Sequence, residues 1–266
     1  PLEDLRSFAK VFEQIRQGYV EEVDDRTLLE YAIKGMLEGL DPHSSYLDSR
    51  SFDDLQANTT GEFAGLGIEV GIEDDYITII TPMDGTPAER AGLRAGDVIL
   101  RLAGKSMRGV SLDDAVDKMR GPVGSKVTLT IGRKGHKEPF DVTLKRDKVR
   151  VYSVRGEMLE EGYGYVRISQ FQMDTGGDLA RAMKKLDKEG ELKGLIVDLR
   201  NNPGGVLQSS VEVVDAFLEE GLVVYTKGRN ESSSLRYAAS PGDLTDGAPI
   251  VVLINDGSAS AAEIVA

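Results

Sequence analysis

The chain has 266 residues with a net charge of −13, and is 40% hydrophobic and 29% charged, a balance that suits a globular protein of one large or two modest domains. No Lys/Arg block interrupts the acidic surplus, which argues against nucleic acid or an anionic membrane surface as a direct partner. Cysteine is absent and histidine occurs only at His43 and His136, so disulfides, a thiol nucleophile and a His-rich metal site are excluded, and no cofactor is expected.

From Leu5, the spacing of Phe8, Phe12, Ile15 and Tyr19 predicts a helix with one apolar stripe. Thr27 and Glu30 read as a capping box for a second helix, striped by Leu29, Ile33, Leu37 and Leu40 and stopped before Pro42. These helices either cover the body of their own subunit or face another. L-D-P-H-S-S-Y-L follows at Leu40 to Leu47, where His43 reads as a turn residue. Ser49 to Thr60 is a short helix running into a polar linker.

Composition changes at Gly61, and the expected division is 1–60 for the helical region, 61–146 for a β-rich module and 147–266 for an α/β body. Phe63 to Val70 reads as a glycine-bearing loop entering a strand, Tyr76 to Thr81 as a second strand, and Asp84-Gly85 as a turn. Thr86, Pro87 and Glu89 predict a boxed short helix, and a turn at Ala95 leads into a strand ending near Leu100. A further helix from Ser111 places Leu112, Ala115, Val116 and Met119 on one face before Gly121-Pro122, and strands over Lys126–Gly132 and Pro139–Lys145 close the module. With G-T-P-A-E-R-A-G-L-R-A-G-D-V-I at 85–99, this order resembles a bacterial PDZ domain. The backbone N–H groups of Gly65, Leu66, Gly67 and Ile68 could then form a nest for a carboxylate, with a peptide added beside Ile68 to Val70 and Val116. Arg120 reads either as a cation complementing its helix end or, by the resemblance below, as a residue holding the peptide-bound arrangement.

In the body, Tyr163–Phe171 alternates as a strand, Asp174–Gly190 carries a helix stripe through Leu179, Met183 and Leu186, and Leu192–Arg200 is an apolar strand. Val211–Leu218 predicts a helix, Leu222–Thr226 a strand, and 228–246 a polar loop suited to hugging substrate. Pro249–Asn255 is a buried strand, too short to span a membrane, and Asp256-Gly257 turns the chain into a helix start at Ser260. The alternation predicts an α/β body with parallel pairing. By position alone, Ser258 or Ser260 could be a helix cap or a nucleophile.

Three stretches in order, L-D-P-H-S-S-Y-L, D-L-R-N-N-P-G-G at Asp198 to Gly205, and G-S-A-S-A-A-E-I from Gly257, resemble the carboxyl-terminal processing peptidases, also called tail-specific proteases. That resemblance implies an N-terminal helical region, a PDZ domain and a crotonase-like α/β serine-protease core. It also implies Ser260 as nucleophile, Gly205 and Ala261 N–H groups as oxyanion donors, and a lysine base that would lie beyond Ala266, leaving the 266 residues inactive alone and either truncated or the ordered part of a longer protease. Protein substrates with exposed C-terminal tails, homo-oligomerisation through the N-terminal helices, an adaptor protein and a periplasmic location after removal of an export signal are implied in the same way. A peptide-binding scaffold without chemistry is the alternative, and a crotonase-type thioester enzyme is disfavoured because no acyl-carrier site is recognisable. Lys184, Lys193 and Lys227 are expected to be solvated surface charges.

Overall fold

The computed structural model describes residues 1–230 and 234–266, so residues 231–233 of the loop expected over 228–246 lie outside the described residues. Two compact units emerge, Pro1–Leu55 and Gln56–Ala266.

The first unit holds helices α1 (Leu2–Gly18) and α2 (Asp25–Glu38) and the start of α3 (Ser49–Thr60). The expected Thr27–Glu30 capping box does not form. Asp24 caps α2 instead, its carboxylate accepting the N–H groups of Arg26 and Thr27, while Glu30 pairs with Arg26. An aspartate one turn earlier satisfies the same orphan donors with a charged acceptor. No residue of α1 or α2 is buried, and Leu5, Phe8, Leu29 and Met36 stand exposed. Asp41 closes a turn by accepting the N–H of His43 and the hydroxyl of Ser44, which leaves His43 at the surface.

In the second unit, β1 (Glu62–Gly65) leads into β2 (Ile68–Glu73) and β3 (Tyr76–Pro82), the short α4 (Pro87–Arg90), then β4 (Val98–Leu102) and β5 (Lys105–Ser106). Helix α5 (Leu112–Met119), capped by Ser111, precedes β6 (Lys126–Gly132) and β7 (Phe140–Lys145). The antiparallel sheet runs β2-β3-β4-β6-β7 with β5 on β4, so β2 is an edge strand. Its core gathers Ile77, Ile79, Ile99, Leu129, Ile131 and Leu144 with Ala115 and Met119 of α5. The box expected around α4 is rearranged. Glu89 accepts from the N–H of Gly85, and the buried Thr86 hydroxyl turns back to the carbonyls of Met83 (2.6 Å) and Gly67 (3.2 Å).

Strand β8 (Asp147–Arg150) pairs antiparallel with β1 in a separate two-stranded ribbon, from Glu62↔Arg150 to Gly65↔Asp147. Strand β9 (Val154–Glu160), which the periodicity did not reveal, pairs antiparallel with β10 (Tyr163–Ile168). Helix α6 (Thr175–Glu189) crosses to β11 (Gly194–Asp198), α7 (Leu207–Asp215) begins four residues before the expected start, and β12 (Leu222–Tyr225) pairs with β13 (Arg236–Ala238) inside the expected loop. Strand β14 (Ile250–Leu253) and α8 (Ala261–Val265) complete the chain. The sheet order is β14-β11-β10-β9, parallel between β10 and β11 and between β11 and β14. Leu179, Met183 and Leu186 of α6 pack with Val166, Ile168, Leu195 and Val197, so one face of each strand and the expected helix stripe share one core. The carboxyl ends of parallel β11 and β14 therefore open side by side, where α/β sheets usually present their sites. Among the described residues no helix is long and apolar enough to cross a membrane.

Candidate active site and peptide groove

At the carboxyl end of β11, Asp198 is fully buried and accepts from the Tyr165 hydroxyl (2.6 Å), Arg167 (3.0 Å), and the backbone N–H and guanidinium of Arg200. The Arg200 guanidinium, with the Tyr165 hydroxyl and the Arg200 N–H, holds its carboxyl far below the ordinary carboxylate range despite burial. This anchors the loop 199–205. Asn202, also fully buried, ties that loop down by donating to the Ile168 carbonyl (2.9 Å) and accepting the Gly204 N–H (2.9 Å).

Gly204 and Gly205 run alongside Phe171. The Phe171 N–H donates to the Gly204 carbonyl and the Val206 N–H to the Phe171 carbonyl, both at 2.8 Å. Because C=O and N–H point oppositely across a trans peptide, pinning the Gly204 carbonyl against Phe171 turns the Gly205 N–H to the other side. Glycine is required at both positions. A Cβ at Gly205 would meet the Phe171 carbonyl oxygen at 2.2 Å, and one at Gly204 would meet Ser260 Cβ at 2.8 Å and Ala261 N at 3.0 Å. The D-L-R-N-N-P-G-G loop thus lies directly on the serine turn.

The two serines of that turn are bonded differently, and Ser260 is the N-cap of α8. Ser258 accepts the Asn255 N–H (3.0 Å) and donates to the Leu199 carbonyl (2.8 Å), so its hydroxyl is consumed in holding the turn. Ser260 is exposed, at φ 53° and ψ −116°, a conformation sparsely populated by non-glycine residues and costing about 1–3 kcal/mol. Its N–H donates to the Glu263 carboxylate (2.7 Å), and its carbonyl accepts from Glu263 N–H (2.9 Å), which directs the Ala261 N–H out of the helix end. Ser260, Ala261 and the Gly204-Gly205 pair, distant in sequence, are brought together. Lys184, Lys193 and Lys227 are exposed, and among the described residues no lysine is hydrogen-bonded to Ser260.

The second constellation lies in the β-rich module. Gly65, Leu66, Gly67, Ile68 and Val116, with Phe63, Met119 and Arg120, line one cleft of about 30 Å³ between β2 and α5. The Leu66 carbonyl accepts from Ala88 N–H, and the Gly67 carbonyl from Met83 N–H and the Thr86 hydroxyl. By the same peptide geometry, the N–H groups of Gly67 and Ile68 face away from these anchors, and edge strand β2 runs on from them. The Leu66 side chain itself is 2% exposed and belongs to the core.

Residues 162–266 match the model of peptidase family S41, residues 54–132 the PDZ domain, and residues 1–51 the N-terminal domain of the activating protease CtpB. A carboxy-terminal-processing protease of Bartonella bacilliformis is 48% identical over 265 residues, covering 98% of this chain and 61% of that protein. The solved photosystem II D1 C-terminal processing protease is 30% identical, with 96% of this chain and 70% of that one covered and a TM-score of 0.44. The chain belongs to peptidase family S41. A putative S41 protease from Bacteroides fragilis, 19% identical, shares the fold with a TM-score of 0.51 over 96% of this chain and 73% of its own.

In this S41 chain Arg120 sits where α5 ends, its guanidinium 5.9 Å from the centroid of the Phe63 ring. Arg146 also serves this helix end, donating to the last-turn carbonyls of Met119 (2.8 Å) and Lys118 (2.9 Å). Arg120 and Phe63 also border a second cavity of about 310 Å³, lined as well by Ser169, Gln170 and Gln172, which flank Phe171 in the chain. The parts played by Arg146, Asn202 and Asn255, and the turn of the Thr86 hydroxyl back to Gly67, carry little signal in the sequence, because each rests at least in part on a partner in another segment.

Proposed function

We propose that this S41 chain carries the substrate-reading and nucleophile-bearing parts of a serine endopeptidase that takes exposed apolar C-terminal tails of protein substrates. The tail carboxylate is received by the N–H groups of Gly67 and Ile68, with Gly65 and Leu66 completing the nest and the tail adding a strand to β2 beside Val116. The observation that carries the catalytic assignment is the contrast between the serines: Ser258 spends its hydroxyl on Leu199 and Asn255, while Ser260 stands exposed on a strained turn against Gly204.

In this reading Ser260 Oγ attacks the scissile carbonyl carbon and passes its proton to a neutral lysine amine supplied from outside these 266 residues, forming a Ser-Lys dyad. The oxyanion is met by the N–H groups of Gly205 and Ala261, each worth about 3 kcal/mol of barrier. Collapse of the tetrahedral intermediate returns the proton to the leaving amine, and water hydrolyses the acyl-enzyme by the reverse route. Arg120 is proposed to hold the peptide-bound arrangement, supported by its place between the groove and the cavity beside Gln170 and Gln172. Further parts of the proposal are the division 1–60, 61–146 and 147–266, oligomerisation through the N-terminal helices, an adaptor, and a bacterial periplasmic location.

A serine-directed fluorophosphonate probe with intact-mass analysis tests the reading on the full-length protein. Labelling at Ser260, and loss of tail-peptide cleavage by about 10⁵-fold in Ser260→Ala, is expected. Tail binding without labelling or cleavage would leave a PDZ scaffold in place of the protease.

A further inference from the structure

Beyond the nucleophile and the oxyanion donors, we infer that Asn201 and Asn255 are positioning residues whose mutual hydrogen bonds set the spacing between the Gly205 and Ala261 N–H groups. The inference rests on the reading of Ser260 as nucleophile. Strands β11 and β14 are parallel and paired as far as Asp198↔Leu253, with one more ladder bond from Leu199 N–H to the Leu253 carbonyl (2.8 Å). Beyond that point the strands give way to the two loops that carry the proposed chemistry, and the regular ladder ends. The Asn201 main-chain N–H then donates to Asn255 Oδ1 (2.8 Å) and Asn255 Nδ2 donates to Asn201 Oδ1 (2.9 Å), so the Asn255 side chain takes over from the ladder by gripping both the backbone and the side chain of Asn201.

The surroundings are built around this clasp. Asn201 is held at φ 57°, a left-handed conformation that asparagine tolerates better than most residues. Asn255 Oδ1 also accepts the Gly257 N–H (3.1 Å), and a Cβ at Gly257 would meet Asn201 Oδ1 at 2.9 Å and Asn201 Cα at 3.0 Å. One step further along, Ala259 N–H donates to the Asn202 carbonyl (3.0 Å), and next come Ser260-Ala261 on one side and Gly204-Gly205 on the other. A change in the clasp is therefore passed to the separation of the two donors within a few bonds. Both asparagines are exposed, so the clasp adds little to folding, as expected of hydrogen bonds that water can replace. Its consequence is registry.

The test is steady-state cleavage of an apolar-tailed peptide by the full-length protein. Asn255→Ala, which removes the whole side chain, should lower kcat by about 100-fold, the cost of misplacing reacting groups by about 1 Å. KM and the affinity for the tail peptide should stay within about twofold. Asn255→Asp keeps the acceptor for Asn201 and Gly257 but loses the donor, and Asn201→Gly keeps the left-handed backbone but loses the acceptor; each should cost about tenfold in kcat. The double variant Asn201→Gly with Asn255→Ala should be no slower than Asn255→Ala, because one shared interaction is lost only once. Fluorophosphonate labelling of Ser260 and affinity for a peptide boronate should fall by the same factor as kcat, a readout that a structural role alone would not move. If Asn255→Ala unfolds, Asn255→Asp and Asn201→Gly carry the comparison. Ser260 labelled normally with kcat within about threefold of wild type overturns the inference, as does a parallel fall in kcat, tail affinity and melting temperature. Failure of the wild type to label at Ser260 overturns the nucleophile reading and this inference together.

Discussion

The peptide groove and the serine turn solve the same geometric problem with different materials. Each presents backbone N–H groups outward by pinning the carbonyl of the same peptide inward. In the groove, the pins on Leu66 and Gly67 come from Ala88, Met83 and Thr86, all within 22 residues of the loop and inside one module. At the serine turn, the pin on Gly204 is Phe171 N–H, and the companion peptide at Ser260 belongs to a third segment. A loop anchored by its neighbours is set by local chemistry. A pair of loops anchored across a parallel sheet depends on the register of that sheet, so it is the more fragile of the two.

The largest expected effect separates the two regions directly. Gly205→Ala drives a Cβ into the Phe171 carbonyl at a φ of 136°, and should lower kcat by about 100-fold or more while leaving tail-peptide affinity intact. Gly67→Ala drives a Cβ to 2.3 Å from Thr86 Cβ and should do the reverse, weakening tail binding by about 30-fold with cleavage of an untailed peptide unchanged. Titration calorimetry beside kinetics reads both, and a variant that loses binding and turnover together would break the comparison.

Next in size is Asp198→Asn, which leaves Arg167, Arg200 and the Tyr165 hydroxyl around a neutral amide and should destabilise the protein by about 3 kcal/mol at pH 7 in urea unfolding. Since its folded-state pKa is lowered, the carboxylate's contribution is complete above its ordinary pKa of about 3.9 and is lost as pH falls below that value. The gap between wild type and variant should therefore be constant from about pH 8 to 5 and shrink below about pH 4. A gap that persists unchanged at low pH would remove Asp198 as the anchor of the loop.

Smaller effects test the anchors themselves. Thr86→Val keeps the shape but removes the hydroxyl from the Gly67 and Met83 carbonyls, and should weaken tail affinity about fivefold. Ser258→Ala should cost about 1 kcal/mol of stability and leave Ser260 reactive to a fluorophosphonate. Loss of labelling in Ser258→Ala equal to that in Ser260→Ala would undo the division of labour between the serines.

Periodicity carried much of the architecture. The α6 stripe of Leu179, Met183 and Leu186 is buried as the 3.6-residue spacing requires, and β10 alternates as its sequence does. Cap chemistry was less legible, because Asp24 competes with Thr27 and wins by reaching two N–H groups with a charge. Strand β9 escaped notice since Val154 to Glu160 is mostly solvent-facing and gains its strand character only by pairing with β10.

By itself, the sequence determined the types of most elements, the parallel β/α alternation, the family, and the set of residues available for chemistry, because local spacing and residue type govern helix stripes, strand alternation and turns. It could not show which of Ser258 and Ser260 has its hydroxyl bound to the Leu199 carbonyl, that Arg146 reaches the last carbonyls of α5, or the Asn201–Asn255 clasp. Those contacts were decided by tertiary structure. Each depends on which group from a distant segment accepts or donates a hydrogen bond: for Arg146 that partner exists once α5 has packed against the sheet ending in β7, and for Ser258, Asn201 and Asn255 once β11 and β14 lie in register.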